Sequence, residues 1–311
     1  MNILPLDVCD VSPQNKYEII KYLLSTDAHS RNETADAINL SSVTVGKIAS
    51  AMLSRNILKS ERMSGPKGRS TELLYASPDL SILCITLNET TFVASLVTLD
   101  GVEKQITKRP KNDSFEYAED TCIFIASVQR KIANIQNSQI IGVFVAYSYK
   151  SPKKLGVNVG MLLGIEPDVI ISADEAIGTA FAHRKDCDVA LHINIDYRIR
   201  PNLYVNGKNI SEKAIGLAPD EQNEYAIALE LSKYLSNLFK TVIPNAISIN
   251  SEAVTADKRF FEFVNNNVSK ITKIPTNDLP AVIDQRNISL IAEAALHLIT
   301  ELYIKRLANI S

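Results

Sequence analysis

Two short helical patterns meet at a break, Asn39-Leu40, and a hairpin pattern follows them, all between Ser30 and Tyr75. That order is the plan of a winged helix-turn-helix, and the rest of the chain is organised around it. Ser30-Arg31-Asn32-Glu33 has the spacing of a capping box, with Ala35, Ala37 and Ile38 after it as a small apolar face. Past the break, Ser41 stands as the N-cap of a helix whose Val45, Ile48, Ala49, Met52 and Leu53 recur on one side. Burying that side turns Ser42, Val43, Thr44 and Lys47 outward in the first turns, where a recognition helix meets base edges in a major groove. Strands over 57–62 and 71–75 then flank Met63-Ser64-Gly65-Pro66-Lys67-Gly68-Arg69, a glycine-rich tip that presents Lys67 and Arg69. A helix over 15–24, with Ile19, Ile20, Leu23 and Leu24 as its stripe, completes a head expected to span residues 1–77.

The 311-residue chain carries a formal charge of −2, so any contact with nucleic acid must come from a local patch. Between Ser41 and Thr71 the cations are Lys47, Arg55, Lys59, Arg62, Lys67 and Arg69, and within that window Glu61 alone opposes them. The expected partner is double-stranded DNA, an operator, contacted through Ser41, Ser42, Val43, Thr44, Lys47, Lys67 and Arg69. One recognition helix reads only a few base pairs, so a homo-oligomer, dimer or tetramer, is expected as well. Gly46 sits inside the helix, where glycine costs roughly 1 kcal/mol relative to alanine. It either lets a phosphate backbone approach or relieves crowding against the preceding helix. The plainer alternative for the whole head is a small helical domain that never touches DNA.

Cys9, Cys84, Cys122 and Cys187 lie far apart and form no CxxC pair, so they read as reduced core thiols. His29, His183, His192 and His297 are equally scattered, and none has a second ligand at metal-binding spacing. No metal and no cofactor are expected. The first residues lack a basic segment and an apolar core, and no apolar run approaches the ~20 residues of a membrane span. The expectation is a cytoplasmic protein with no membrane contact.

Ala76-Ser77-Pro78-Asp79 separates the head from the rest of the chain. Strands are expected over 82–87, 92–99 and 102–108, a helix over 115–136, a buried strand over 140–146, a short helix over 154–163 and a strand over 168–172. A helix over 175–183 precedes a hairpin of 189–195 with 200–205, and 208–211 offers a third strand. Then come a long helix over 224–242, a strand over 246–249, and helices over 260–268 and 288–307. This is an α/β body over 78–311, and a meander opening each half suggests lobes of roughly 78–188 and 189–311.

Several of these residues resemble the ROK proteins (repressor, open reading frame, kinase), a family of sugar kinases and xylose-repressor-type transcription regulators. The resemblance runs through Ser30-Arg31-Asn32-Glu33, Leu40-Ser41-Ser42-Val43-Thr44-Val45, Gly68-Arg69-Ser70, Leu99-Asp100-Gly101, Ser172-Ala173-Asp174-Glu175-Ala176 and Val205-Asn206-Gly207-Lys208. It implies an α/β fold with a winged helix-turn-helix in front of a two-lobed actin-like (ribonuclease H-like) body. The departures from the family are as informative. The kinases hold ATP on glycine-rich turns, but the matching turns here, Thr86-Leu87-Asn88-Glu89-Thr90 and Asp196-Tyr197-Arg198-Ile199-Arg200, contain no glycine. The zinc segment that should follow Gly216-Leu217-Ala218-Pro219-Asp220 is missing. Of the sugar-contacting residues only Asp174 keeps its type.

The resemblance therefore implies a DNA-binding transcription regulator, a repressor, whose body is a catalytically inactive pseudo-kinase used for oligomerisation and for sensing a small-molecule effector. An adaptor or antagonist acting through protein contacts is the alternative, and a sugar kinase the remote one. Asp174 is either the remnant of an effector site or the N-cap of the helix over 175–183. Arg184, Arg198 and Arg200 leave an anionic ligand open. Dialysed protein should hold no stoichiometric zinc, because tetrahedral sites need clustered Cys and His ligands. Metal analysis that finds about one zinc per chain would overturn that reading.

Overall fold

A computed structural model describes the chain except residues 1–2, 25–26, 65–69, 136–137, 149, 186–187, 196–197, 211–214, 217–222, 252–257, 281, 285–288 and 311. Its contacts fall into two compact units, residues 1–172 with 295–311, and residues 173–294. Among the described residues no helix is long and apolar enough to cross a membrane.

The first unit opens with three capped helices. α1 (Pro13–Leu23) starts where Ser12 Oγ accepts the Asn15 amide, and it buries Ile19, Ile20 and Leu23. α2 (Arg31–Ala37) has the capping box in full: Ser30 Oγ accepts the Glu33 amide at 3.2 Å, and the Ser30 amide donates to Glu33 Oε2 at 2.7 Å. Its buried residues are Thr34 and Ala35, whereas Ala37 is exposed. The expected apolar face is corrected there, because residues two apart on a helix do not share a side. Asn39 turns the chain with φ +54°, a conformation asparagine tolerates better than most side chains. α3 (Ser42–Ser54) then buries Val45, Ile48, Ala49 and Met52, with Leu53 at the half-buried edge. β1 (Leu58–Ser64) and β2 (Ser70–Ala76) pair antiparallel along their whole length, and His29 exchanges both backbone hydrogen bonds with Leu74, at 2.9 and 2.8 Å. The strands run farther toward their connection than expected, so only 65–69 lies between them, outside the described residues.

The sheet of this unit is built from β3 (Leu80–Leu87), β4 (Thr91–Thr98), β5 (Glu103–Pro110), β6 (Gln139–Tyr147) and β7 (Val169–Ser172) in the order β5-β4-β3-β6-β7. β3, β4 and β5 form an antiparallel meander, while β6 and β7 run parallel to β3. Parallel return requires a crossover, and α4 (Tyr117–Ile132) supplies it, packing Phe124, Ile125 and Val128 into one core with Leu83, Phe92 and Val143. The helix expected over 154–163 is broken in two. Gly156, at φ +71°, ends a 3₁₀ turn over Pro152–Leu155, and α5 (Val159–Leu163) restarts from an Asn158 cap. Asp168 stays outside the strand expected to begin with it: its carboxylate accepts the Val143 amide at 2.7 Å and pairs with Arg306 at 2.5 Å.

The second unit begins at α6 (Ala173–Lys185) and continues through β8 (Val189–Ile195), β9 (Arg198–Val205), β10 (Lys208–Asn209), β11 (Ile215–Gly216), α7 (Glu224–Leu238), β12 (Ala246–Ser251), α8 (Lys258–Thr272) and β13 (Val282–Asp284). α9 (Ser289–Ala308) starts in this unit and ends in the first. The sheet order is β10-β9-β8-β12-β13, with β11 on β9, and again an antiparallel meander is continued by parallel strands. That repeats the strand plan of the first sheet. β11 and β13 were not expected, because strands this short carry too few residues to set a period.

Along β8, Leu191, Ile193 and Ile195 enter the core formed with α7 and α8, so Ala190, His192 and Asn194 face the other side. His192 is fully buried there, with Nδ1 2.7 Å from Ser248 Oγ on its register partner in β12. Burial pushes its pKa down to about 4 from an ordinary 6.5. The unfolded chain binds the proton between those values and the folded chain does not, so stability is full above pH 6.5 and falls as pH drops toward 4. The loss should reach about 3 kcal/mol, and His192→Gln should flatten the fall of the urea midpoint between pH 7 and 4.5. An identical pH profile in the variant would show that His192 titrates normally.

Candidate nucleic-acid interface and the cluster at Asp174

With its apolar side buried, α3 exposes Ser42, Val43, Lys47, Ser50 and Ser54, and the last four fall on one helical stripe. Val43 is 68 % exposed, an apolar side chain held in water rather than packed. Ser41 and Thr44 serve the start of the helix instead: Ser41 Oγ accepts the Thr44 amide at 3.1 Å and lies 2.8 Å from Thr44 Oγ1. The structure therefore brings Ser42, Val43 and Lys47 onto one open surface, with Ser41 and Thr44 at its edge. Lys67 and Arg69 lie outside the described residues.

The charge pattern differs from the one that counting along the chain predicts. Lys47 is paired with Asp10, Lys59 with Asp79 at 3.4 Å, and Arg55 donates to the carbonyls of Leu4 and Pro5, both at 2.8 Å. All these partners come from outside the window between Ser41 and Thr71, where only Glu61 seemed to oppose the cations. Exposed pairs of this kind stabilise a fold by about 0–1 kcal/mol, yet each must open before its cation can meet a phosphate. Arg31, which sequence reasoning used only as a spacer in the capping box, pairs with Glu72 at 3.4 Å. Its guanidinium is all that a Cβ on Gly46 would meet, at 3.9 Å.

Asp174 is not the N-cap of its helix: α6 starts at Ala173, which puts Asp174 inside the first turn. Its carboxylate accepts a 2.7 Å hydrogen bond from Asn194 Nδ2 and faces Arg200 Nη1 at 3.6 Å, and Asn250 donates to Asn194 Oδ1 at 3.3 Å. Arg184 is paired with Glu293. Two of the cations that left an anionic ligand open are therefore already opposed by carboxylates, and nothing is described of the side chain of Arg198. In the first unit, the turn after β3 has its carbonyls engaged. Tyr117 Oη lies 3.1 Å from the oxygens of both Leu87 and Asn88, and Ser148 Oγ donates to Asn88 Oδ1 at 2.8 Å. Elsewhere in the second unit a hollow of about 740 Å³ is lined both by aliphatic side chains such as Leu203, Ile210 and Val242 and by polar ones such as Glu230, Lys233 and Asn237.

Among the described residues no group of three or more His, Cys, Asp or Glu could hold a metal ion, and residues 217–222 lie outside them. Cys84 is buried and its thiol pKa pushed up to about 12, and Cys122 is half-buried. Cys9 corrects the expectation of core thiols: it is exposed, with Sγ 3.3 Å from Asp7 Oδ1. Cys187 is not described.

The geometry at Gly46 yields a direct test. Because only Arg31 lies within 4 Å of the missing Cβ, Gly46→Ala should raise stability by up to about 1 kcal/mol. A fall in the melting temperature would restore the reading in which Gly46 relieves crowding.

No family model and no curated protein matches the chain. Solved structures do. A ROK family transcriptional regulator, a homologue of the E. coli Mlc protein, matches at a TM-score of 0.65 and 12 % identity over 95 % of this chain and 97 % of its own. A ROK family protein from Streptococcus pneumoniae in complex with sucrose matches at 0.52 and 12 % over 71 % of this chain and 99 % of that one. The ROK hexokinase from Thermus thermophilus matches at 0.50 and 10 %, over the same shares. At 10–12 % identity these likenesses establish the fold alone, and the fold is that of the ROK proteins.

Proposed function

We propose that residues 1–77 form a winged helix-turn-helix that binds operator DNA as part of a symmetric homo-oligomer, and that residues 78–311 form a catalytically silent ROK body for assembly and effector sensing, in a cytoplasmic repressor. The observation that carries this is α3. Its cap and its buried side hold Ser42, Val43 and Lys47 outward together, and an antiparallel hairpin follows with Arg62 exposed near its tip. The regulator structure, which covers more of this chain than the hexokinase does, supports the same reading.

A silent body is supported by both halves. A catalytic carboxylate must take a proton, but the Asp174 carboxylate is held by Asn194 and Arg200. A phosphate cradle needs open amides on a flexible turn, whereas the turn after β3 has no glycine and its Asn88 amide already donates to the Thr91 carbonyl at 3.1 Å. A sugar needs its hydroxyls paired, each unpaired one costing roughly 1–3 kcal/mol, and one engaged carboxylate does not do that. The adaptor reading keeps one observation in its favour, the pairing of Lys47 with Asp10.

Duplexes selected from a random pool should bind far better than unselected ones. Val43→Ala and Lys47→Ala should each reduce that preference by about ten- to hundredfold, the loss of one good base contact, while thermal stability stays unchanged. Arg69→Ala should instead weaken all duplexes alike and flatten the salt dependence. Equal affinity for selected and unselected DNA in the wild-type protein would favour the adaptor.

A further inference from the structure

Residues 3–12 do not trail from the head; they are fastened across it. Leu6 is 2 % exposed, its amide donates to the Leu307 carbonyl at 2.9 Å, and its own carbonyl accepts Lys16 Nζ at 3.3 Å. Just before it, Arg55 at the end of α3 holds the carbonyls of Leu4 and Pro5. At the far end of the arm Val11 is buried and Ser12 caps α1. Between those anchors the chain turns, and the turn puts the Asp10 carboxylate on Lys47, the cation of the exposed α3 stripe.

We propose that this arm is an autoinhibitory strap: Asp10 occupies at Lys47 the place of a DNA phosphate or base edge, and DNA must displace it to bind. This rests on the DNA reading above. Both side chains are about half exposed, 59 % for Asp10 and 49 % for Lys47, and a pair in that much water adds little to stability. Its main effect is therefore on what else reaches Lys47. A carboxylate fixed at the reading surface repels a polyanion and also removes one cation from the set that would release counterions. The strap's other fastening is on Leu307 in α9, so a displacement of that helix end would move Asp10 and change access to the reading surface.

The test is a fluorescence-anisotropy titration of a labelled random-sequence duplex at several salt concentrations with four full-length proteins: wild type, Asp10→Asn, Lys47→Ala and the double variant. Asp10→Asn should bind roughly three- to tenfold tighter near 0.1 M salt, with the slope of log K against log salt steeper by about 0.9, one added phosphate contact. In the Lys47→Ala background the same change should have almost no effect, because the cation it frees is gone. Binding by the wild type with no gain in Asp10→Asn overturns the strap alone. So does an equal gain in both backgrounds, which would mark a general effect of charge. Absence of binding by all four proteins overturns the DNA reading, and the strap with it.

Discussion

A strand with no exposed residue must satisfy every backbone amide and carbonyl inside its own sheet, and β3 is such a strand. It does so with β4 antiparallel on one side and β6 parallel on the other. The antiparallel neighbour follows through a tight turn, but the parallel one can be reached only by a crossover, which is why α4 lies where it does. β8 meets the same demand with β9 and β12, and the second sheet comes out in the same order. The two sheets are thus one solution to one constraint, reached with different side chains. The turn after β3 that closes the first meander is made of Asn88, Glu89 and Thr90, none of them glycine.

The head shows how far electrostatics read along a chain can depart from electrostatics in space. Counted in sequence, the segment from Ser41 to Thr71 is a nearly unopposed basic patch. Folded, it is met by Asp10 from before it and Asp79 from after it, while Glu72 takes Arg31. The body repeats the lesson, since Arg200 on β9 reaches Asp174 on α6. In both places a charge that invites a ligand when read alone has an internal partner supplied from elsewhere in the chain.

Legibility followed length and locality. The long periodic elements were readable, α3, α4, β3, β6, α7 and α9 among them, because many residues vote on one period. The capping box at Ser30 was readable because its two hydrogen bonds span only three residues. Ala37 lies two positions from Ala35 and so falls off its face, and α6 begins at Ala173, two residues ahead of the expected start, which puts Asp174 in its first turn rather than at its cap. β11 and β13 were too short to see. At the candidate interface the exposed face of α3 followed from burial of the opposite face. The partner of Lys47 did not, because Asp10 is 37 residues away and no local rule links the two.

α9 supplies the first unit with Ile299, Tyr303, Ile304, Leu307 and Ala308, all buried, with Arg306 for Asp168, and with Glu301, whose carboxylate accepts the Tyr17 hydroxyl at 2.9 Å. These residues are synthesised after the whole of the second unit, which interrupts the first in sequence. On the ribosome the order of completion is therefore inverted. Residues 173–294 form one unbroken stretch and can close on themselves, while the head and the sheet ahead of them wait, with Asp168, Tyr17 and the Leu6 amide still lacking their mates. The contacts that finish the first unit close loops of 138 residues at Asp168 and 284 at Tyr17, and joining so long a loop is the kind of step that slows folding more than it costs stability.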